Sequence, residues 1–409
     1  MNSWIPFEWT AAVRFLKEGR MQTAFIIIGI AIGVAVIVFM SALLTSLQSN
    51  FISSILTSQP HIQITPQDEI ARPLRSAKPG SEILRVEQRP AQRLRSIDQW
   101  QSINRQLKNR ADISEVSATI STSALAIRGD TTQSLSLTGI DADSYFRIVN
   151  IPNYLTLGSS VLGSDSIIIG TELAKNLGVT IGDKFNVTGT NNATRILTVS
   201  GIFDLGNKGA NGRITFVALR TAQTLANLAG GVTSINVNVQ DANSAEIIAQ
   251  SIEASTGNKV ESWIKTNADF FAIMKTQDTS FTIIRGFVGL SVAFGIASVM
   301  VVSVIQRSKE IGILRAMGTS QKQILTVFLL QGGVLGFFGS LAGSALGGAA
   351  FVIFHTVVRQ ADGKQIFPFV LQPSLFVIAI LLAISTGVAA AAMPAFRAAK
   401  LDPVVAMRG

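Results

Sequence analysis

A loop that cradles phosphates needs closely spaced glycines, so that backbone amides can converge, and a lysine to hold the anion. The nearest approach in this chain runs from Gly158 to Gly163, followed by Ser164 and Asp165, and it lacks the lysine. Asp141 and Asp143 stand close together, a spacing more usual in a turn than in an acid–base pair. No HExxH or GxSxG pattern occurs. The chain has no cysteine and two histidines, His61 and His355, which fits neither a thiolate site nor an imidazole-rich one. The sequence therefore predicts no catalytic residue, no metal site and no cofactor held by the chain itself.

The elements around these residues explain the scarcity. Of 409 residues, 48% are hydrophobic and only 14% charged, and the mean hydropathy is +0.41. Soluble domains carry about 25% charged residues, so the deficit points to membrane segments. The net charge of +9 would suggest nucleic acid in a soluble protein. Here the basic residues flank apolar runs, which predicts membrane orientation and no nucleic-acid partner.

Runs free of Asp, Glu, Lys and Arg extend from Met21 to about Leu47, Gly286 to Ile305, Gln323 to Val358, and about Leu371 to Phe396. Each exceeds the ~20 residues that cross a bilayer. The third is long enough that it must tilt, bend at its glycines or project. Arg14, Lys17 and Arg20 precede the first run; Arg307, Lys309, Arg315 and Lys322 separate the second from the third; Arg397, Lys400 and Arg408 follow the fourth. The positive-inside rule then places both termini in the cytoplasm. The predicted class is a membrane protein with four transmembrane α-helices and a large α+β extracytoplasmic domain inserted between the first and second. Its parts are a cytoplasmic amphipathic helix in 1–20, spans at 21–47, 281–305, 323–358 and 371–396, and the extracytoplasmic domain at 48–280. A cytoplasmic helix at 306–322, an outer loop at 359–370 and a cytoplasmic tail at 397–409 complete it.

Small residues recur within the spans. Gly29 and Gly33 form one GxxxG pattern and Gly339, Gly343 and Gly347 form two more, a spacing that lets helix backbones approach. The apolar spacing of Met40, Leu44, Leu47 and Phe51, and of Phe281 and Ile284, predicts that the first two spans continue as a stalk. Inside the domain, alternation predicts strands at Glu115–Arg128, Gln133–Ile140, Ser166–Gly170, Phe185–Thr188, Arg195–Phe203, Arg213–Val217 and Ser234–Val239. Helices are predicted at Ser96–Leu107, Glu172–Leu177, Thr221–Leu228 and Ala242–Ser255. The stretch 67–110 is rich in Arg and Lys; it reads as a solvated basic surface or as a docking patch for an acidic partner or anionic lipid head groups.

Between the second and third spans lies Arg307-Ser-Lys-Glu-Ile-Gly-Ile-Leu-Arg-Ala-Met-Gly318. Ile311, Leu314 and Met317 share one side of a helix, with Lys309, Glu310 and Arg315 elsewhere, and Gly318-Thr-Ser reads as a stop followed by a new cap. This stretch resembles the coupling loop of the MacB/FtsX/lipoprotein-releasing (LolC/LolE-like) family of ABC permeases. Gly29-Ile-Ala-Ile-Gly-Val-Ala35 is similar to the family's N-terminal segment. Ile168-Ile-Gly-Thr-Glu-Leu-Ala-Lys-Asn-Leu-Gly-Val-Thr-Ile-Gly-Asp183 is similar to its extracytoplasmic core. Pro394-Ala-Phe-Arg-Ala-Ala-Lys-Leu-Asp-Pro-Val-Val-Ala-Met-Arg408 resembles its C-terminal signature.

The resemblance implies a bacterial inner-membrane permease that borrows an ABC ATP-binding subunit, with ATP and Mg bound by that partner. It implies a second permease, a copy or a paralogue, and mechanotransmission to the extracytoplasmic domain. By motif match, Lys309, Glu310, Ile311, Gly312, Leu314, Arg315, Ala316, Met317 and Gly318 would touch the ATPase. Extraction of lipoproteins or lipids is the leading expectation, with a periplasmic carrier as partner and acyl chains against Met40, Leu44, Leu47, Phe51, Phe281 and Ile284. The alternatives are a MacB-like or DevC-like exporter working with a periplasmic adaptor, and an FtsX-like activator of a cell-wall hydrolase.

Overall fold

The computed structural model describes residues 6–68, 94–358 and 369–401, together with the backbone at 72–73 and 87–88. Most of the basic stretch, the 359–368 loop, the first five residues and the tail beyond Leu401 lie outside the described residues. From the N-terminus come α1 (Phe7–Glu18), α2 (Arg20–Ser58), β1 (Ile62–Thr65) and the paired short strands β2 (Arg72–Pro73) and β3 (Glu87–Gln88). Helix α3 (Trp100–Lys108) leads to β4 (Ile113–Arg128) and β5 (Thr131–Ile140). Then follow α4 (Ala142–Ile148), β6 (Leu155–Gly158), β7 (Ser166–Gly170), α5 (Thr171–Leu177), β8 (Lys184–Gly189) and β9 (Thr194–Phe203). Next are α6 (Lys208–Asn211), β10 (Ile214–Ala218), α7 (Leu219–Leu225), β11 (Ser234–Val239), α8 (Ala245–Thr256), β12 (Lys259–Ser262) and α9 (Trp263–Thr266). The chain ends in α10 (Ala268–Gln306), α11 (Ser308–Ala316), α12 (Gln321–Val357) and α13 (Pro373–Ala399). Two compact units result: a helical unit of residues 1–52 and 272–409, and an α+β unit of residues 53–271.

In the helical unit, α2, α10, α12 and α13 are, among the described residues, the four helices long and apolar enough to cross a membrane. Their buried positions recur every fourth residue, as a helix with one inward stripe requires: Ile30, Val34 and Val38; Ile296, Met300 and Val304; Ala383, Gly387, Ala391 and Ala395. The opposite faces leave Phe287, Phe294, Ile305, Val357 and Leu381 largely exposed, which suits a lipid solvent rather than water. Helices α12 and α13 meet through small residues. A Cβ on Gly332 would strike the carbonyl of Gly387, and one on Gly336 the carbonyl of Ala383. Without side chains between them the two backbones touch, the geometry that favours association in lipid.

In the α+β unit, β4 is 16 residues long and serves two sheets. Its first half pairs with β11 in the antiparallel order β12-β1-β11-β4. Its second half pairs with β5 on one side and β8 on the other. From β5 the pairing continues through β10, β7 and β9 back to β8. The six strands close on themselves as a barrel, so within it no strand edge is left open. The β5–β10 and β7–β9 pairs are parallel and the other four antiparallel. Ile120, Leu137, Ile167, Ile169, Val187, Leu197 and Val217 fill the interior, and α7 closes it with Ala222 and Leu225. Gly189 is required there: a Cβ would overlap the carbonyl of Leu225.

Most expected strands and helices fall where alternation placed them, with ends shifted by a few residues. Helix α4 was not anticipated, because Asp141 and Asp143 read as a turn. In the structure Asp141 precedes the helix and its carboxylate accepts from Ser144 Oγ at 2.9 Å. The Ser144 and Ser117 hydroxyls are also hydrogen-bonded, 2.9 Å apart, which fixes α4 to β4 of the sheet. The turn reading is corrected by the apolar side of Tyr145, Ile148 and Val149, which is buried with Phe203 and Phe216.

Candidate functional site

The coupling segment of the sequence forms α11, a nine-residue helix separated from α10 by Arg307 alone. At its end Gly318 adopts φ +101°, a conformation side chains resist. Ser320 then opens α12 with a reciprocal cap: its Oγ accepts from the Gln323 amide at 3.2 Å, and the Gln323 side chain accepts from the Ser320 amide at 3.0 Å.

The two sides of α11 differ from the expectation. Ile311 is fully buried with Val304, Ile324, Phe328 and Ala398, and Gly312 is buried beside it. Arg315 donates to the carbonyl of Leu401. These residues root the helix in its own unit. Outward stand Lys309, Glu310, Ile313, Ala316, Met317 and Gly318, with Met317 72% and Ile313 49% exposed. Leu314 is half-buried between the two sides. An amphipathic pattern marks an apolar side without saying whether it packs inward or outward, and here Ile311 packs inward, Leu314 is half-buried and Met317 is outward. Ile313, absent from the expected contact set, is outward because it lies about 200° around the helix from Ile311 at ~100° per residue.

The root of α11 is held by Arg307, a residue the motif includes and whose task the sequence did not reveal. Its guanidinium donates to Glu18 Oε2 at 2.8 Å and to the Phe15 carbonyl at 2.9 Å. It also lies over the Phe15 ring, 4.7 Å from the centroid. Glu18 accepts from Arg14 as well, at 2.9 Å. Hydrogen bonds from Arg14 and Arg307 hold the Glu18 carboxyl below its usual range. Phe15 in turn packs on Phe328 of α12, with centroids 6.3 Å apart.

The expected cargo-contact residues divide. Met40, Leu47, Phe51 and Ile284 are exposed and Phe281 is half-buried. Leu44 is only 7% exposed and packs inside the bundle. The helix-packing glycines also divide. Gly339 faces Ile30, Gly343 faces Ala31 and Val34, and Gly347 faces Ala35 and Val38, all on α2. Gly33 lies against Val288 and Val292 of α10, where an added Cβ would be 3.1 Å from each. Gly29 has open space where a Cβ would be, so it packs on no other helix within this chain's described residues.

Comparison with known proteins agrees with this division into parts. The family model for the MacB-like periplasmic core domain matches residues 23–255, and that for the FtsX-like permease C-terminal matches residues 282–403. The lipoprotein-releasing system transmembrane protein LolC of Xylella fastidiosa (strain Temecula1) is 24% identical over 98% of this chain and 99% of its own length. The macrolide export ATP-binding/permease protein MacB of Hyphomonas neptunium is 32% identical over 35% of this chain, which spans 22% of that protein. Among solved structures, the periplasmic region of MacB from Actinobacillus actinomycetemcomitans gives a TM-score of 0.35 at 14% identity, covering 54% of this chain and 95% of that one. With a core-domain match over more than half its length and a permease match over the rest of its spans, the chain belongs to the MacB/FtsX/LolC-like family of ABC-transporter permeases.

Proposed function

We propose that this chain is the inner-membrane subunit that converts the motion of a separate ATP-binding subunit into movement of its own periplasmic domain, and so releases lipoproteins or lipids from the outer leaflet. The observation that carries the reading is the two-sidedness of α11. One side is rooted through Ile311, Gly312 and Arg315, and the other offers Ile313, Ala316 and Met317. A short helix fixed at its base with an apolar tip outside is suited to seat in a cleft of a cytoplasmic partner and to transmit its displacement. Both termini and α11 face the cytoplasm in this reading, as the flanking Arg and Lys favour.

Lipoprotein release is favoured among the family's functions by relatedness over nearly the full length to proteins named for it. Resemblance to MacB covers little of that protein's length, so tripartite export ranks second.

The test is to purify the protein in nanodiscs from its native host and identify what accompanies it by mass spectrometry. An ATP-binding subunit with acylated lipoproteins is the expected result. An ATPase with an adaptor or a hydrolase would replace the release reading. Recovery with no ATPase, under conditions that preserve related complexes, would overturn the coupling itself.

A further inference from the structure

The helices α2 and α10 are pinned together by polar contacts at two levels. Gln22 donates to Gln306 Oε1 at 3.2 Å near one end. Arg285 Nη2 donates to Ser41 Oγ at 2.7 Å near the other. At ~1.5 Å per residue the two pins stand about 30 Å apart, the thickness of a hydrocarbon core. A hydrocarbon core lying between the two pins would put Arg285 at the depth of lipid phosphates. The cavity beside Arg285 is otherwise lined by apolar residues, Ile37, Val288, Gly289 and Leu382 among them, and by Thr386, whose hydroxyl donates to the Leu382 carbonyl. Among the described residues no carboxylate lies within 4 Å of its guanidinium. A guanidinium carries five N–H donors, and a single neutral hydroxyl leaves most of that capacity for an anion.

An apolar cleft of about 230 Å³ runs between the same helices, from Ile30 and Val292 toward Phe25 and Val299. Ile30 and Val292 also line the small cavity beside Arg285, so the two cavities adjoin along the α2–α10 seam and together make a lane, narrowed where Gly33 meets Val288 and Val292. The cleft stays open because Gly29 and Gly295 sit on its walls, and at neither would a Cβ meet another atom. Measured along α2 from Ile37 to Phe25 the lane is about 18 Å long, more than half of a ~30 Å core.

We propose that this lane is a phospholipid site, with the phosphate on Arg285 and the Ser41 hydroxyl and one acyl chain lying in the cleft between α2 and α10. Charge complementarity selects the occupant. A glyceride or an acylated peptide fills the cleft equally well but offers no phosphate to the guanidinium, so the site favours a resident phospholipid whatever cargo the protein moves.

The experiment is native mass spectrometry of the full chain with its co-purified subunits, delipidated and then offered phosphatidylglycerol or diacylglycerol of the same acyl composition. Phosphatidylglycerol should be retained about tenfold or more over diacylglycerol, the scale of a charge-assisted hydrogen bond. Arg285→Gln should erase that preference, Arg285→Lys should keep part of it, and Gly295→Leu should weaken both lipids alike by filling the cleft. Equal retention of the two lipids by the wild type would overturn the proposal, even if Arg285→Gln fails to fold. So would displacement of phosphatidylglycerol by millimolar inorganic phosphate, or a photo-crosslinker at position 295 that captures a second copy of this chain instead of lipid.

Discussion

Arg307 donates to Glu18 Oε2 at 2.8 Å, and through that bond the root of α11 is tied to the end of α1. The same guanidinium holds the Phe15 carbonyl and covers the Phe15 ring. A displacement of α11 must therefore either carry α1 with it or break three contacts of one side chain. Arg307→Gln removes the charge and the ring contact while leaving a donor. Hydrogen exchange in α1 should accelerate several-fold in that variant and less in Glu18→Gln, because the Phe15 contacts survive there. Unchanged exchange in Arg307→Gln would show that α1 is held by its packing on α12 alone.

The outward side of α11 can be tested without disturbing its root. Met317→Glu and Ile313→Glu should uncouple ATP hydrolysis from release while leaving thermal stability within about 0.5 kcal/mol, the usual range at exposed positions. Ile311→Ala should instead destabilise the helical unit by about 2–4 kcal/mol, the range for a truncated buried side chain. The readouts are cargo-stimulated ATPase activity beside a detergent melt. Normal stimulation in the Met317→Glu, Ile313→Glu double variant would remove this side of α11 from the contact.

Two glycines of the spans should respond oppositely. Gly343→Leu places a side chain against Ala31 and Val34 of α2 and should lower the melting temperature and the folded yield. Gly29→Ala meets open space and should be tolerated or slightly stabilising, since alanine is the better helix former. Equal damage from both would mean that the α2–α12 contact is not what holds the unit.

His61 gives the α+β unit a pH dependence. Burial pushes its imidazole below the usual value of 6.5, against a backbone hydrogen bond with Val239 that raises it. The folded state therefore favours neutral histidine, and the unfolded chain takes up the proton first. Stability should be constant above about pH 7 and fall as pH drops through 6.5, levelling off below the depressed folded value. His61→Gln should flatten that slope in melts of the full protein between pH 8 and 5. A wild-type slope that persists unchanged in His61→Gln would assign it to other groups.

Much of the architecture could be read from residue type and spacing. The four apolar helices announce themselves by charge-free runs, and the Gly318-Thr-Ser turn by its cap chemistry. What stayed hidden were relations between distant residues. Nothing local in Asn186–Gly189 says that it pairs with Ala124–Ile127 and closes a barrel. Nothing in the order of Ile311, Ile313 and Met317 says which of them the protein keeps for itself. Gly29 and Gly33 share one motif, yet one borders an open cleft and the other packs on valines, because their neighbours come from α10, some 250 residues on. Arg285 adjoins an apolar run, and nothing in its local sequence says that Ser41, far away in the chain, accepts from it.

The pairing of β1 bears on how the chain is made. Its partners are β11 and β12, the last two strands of the α+β unit, about 170 to 200 residues later. Contacts so remote in sequence form late and slowly. A ribosome delivers the chain from its N-terminus, so β1 must wait with both edges bare while nearly the whole unit is synthesised and moved across the membrane. During that interval β4 also lacks its partner β11, although the hairpin with β5 can already form. Biogenesis then has a vulnerable period between export of β1 and arrival of β12, and the newborn protein needs shielding from aggregation or proteolysis until the last strand locks the first in place.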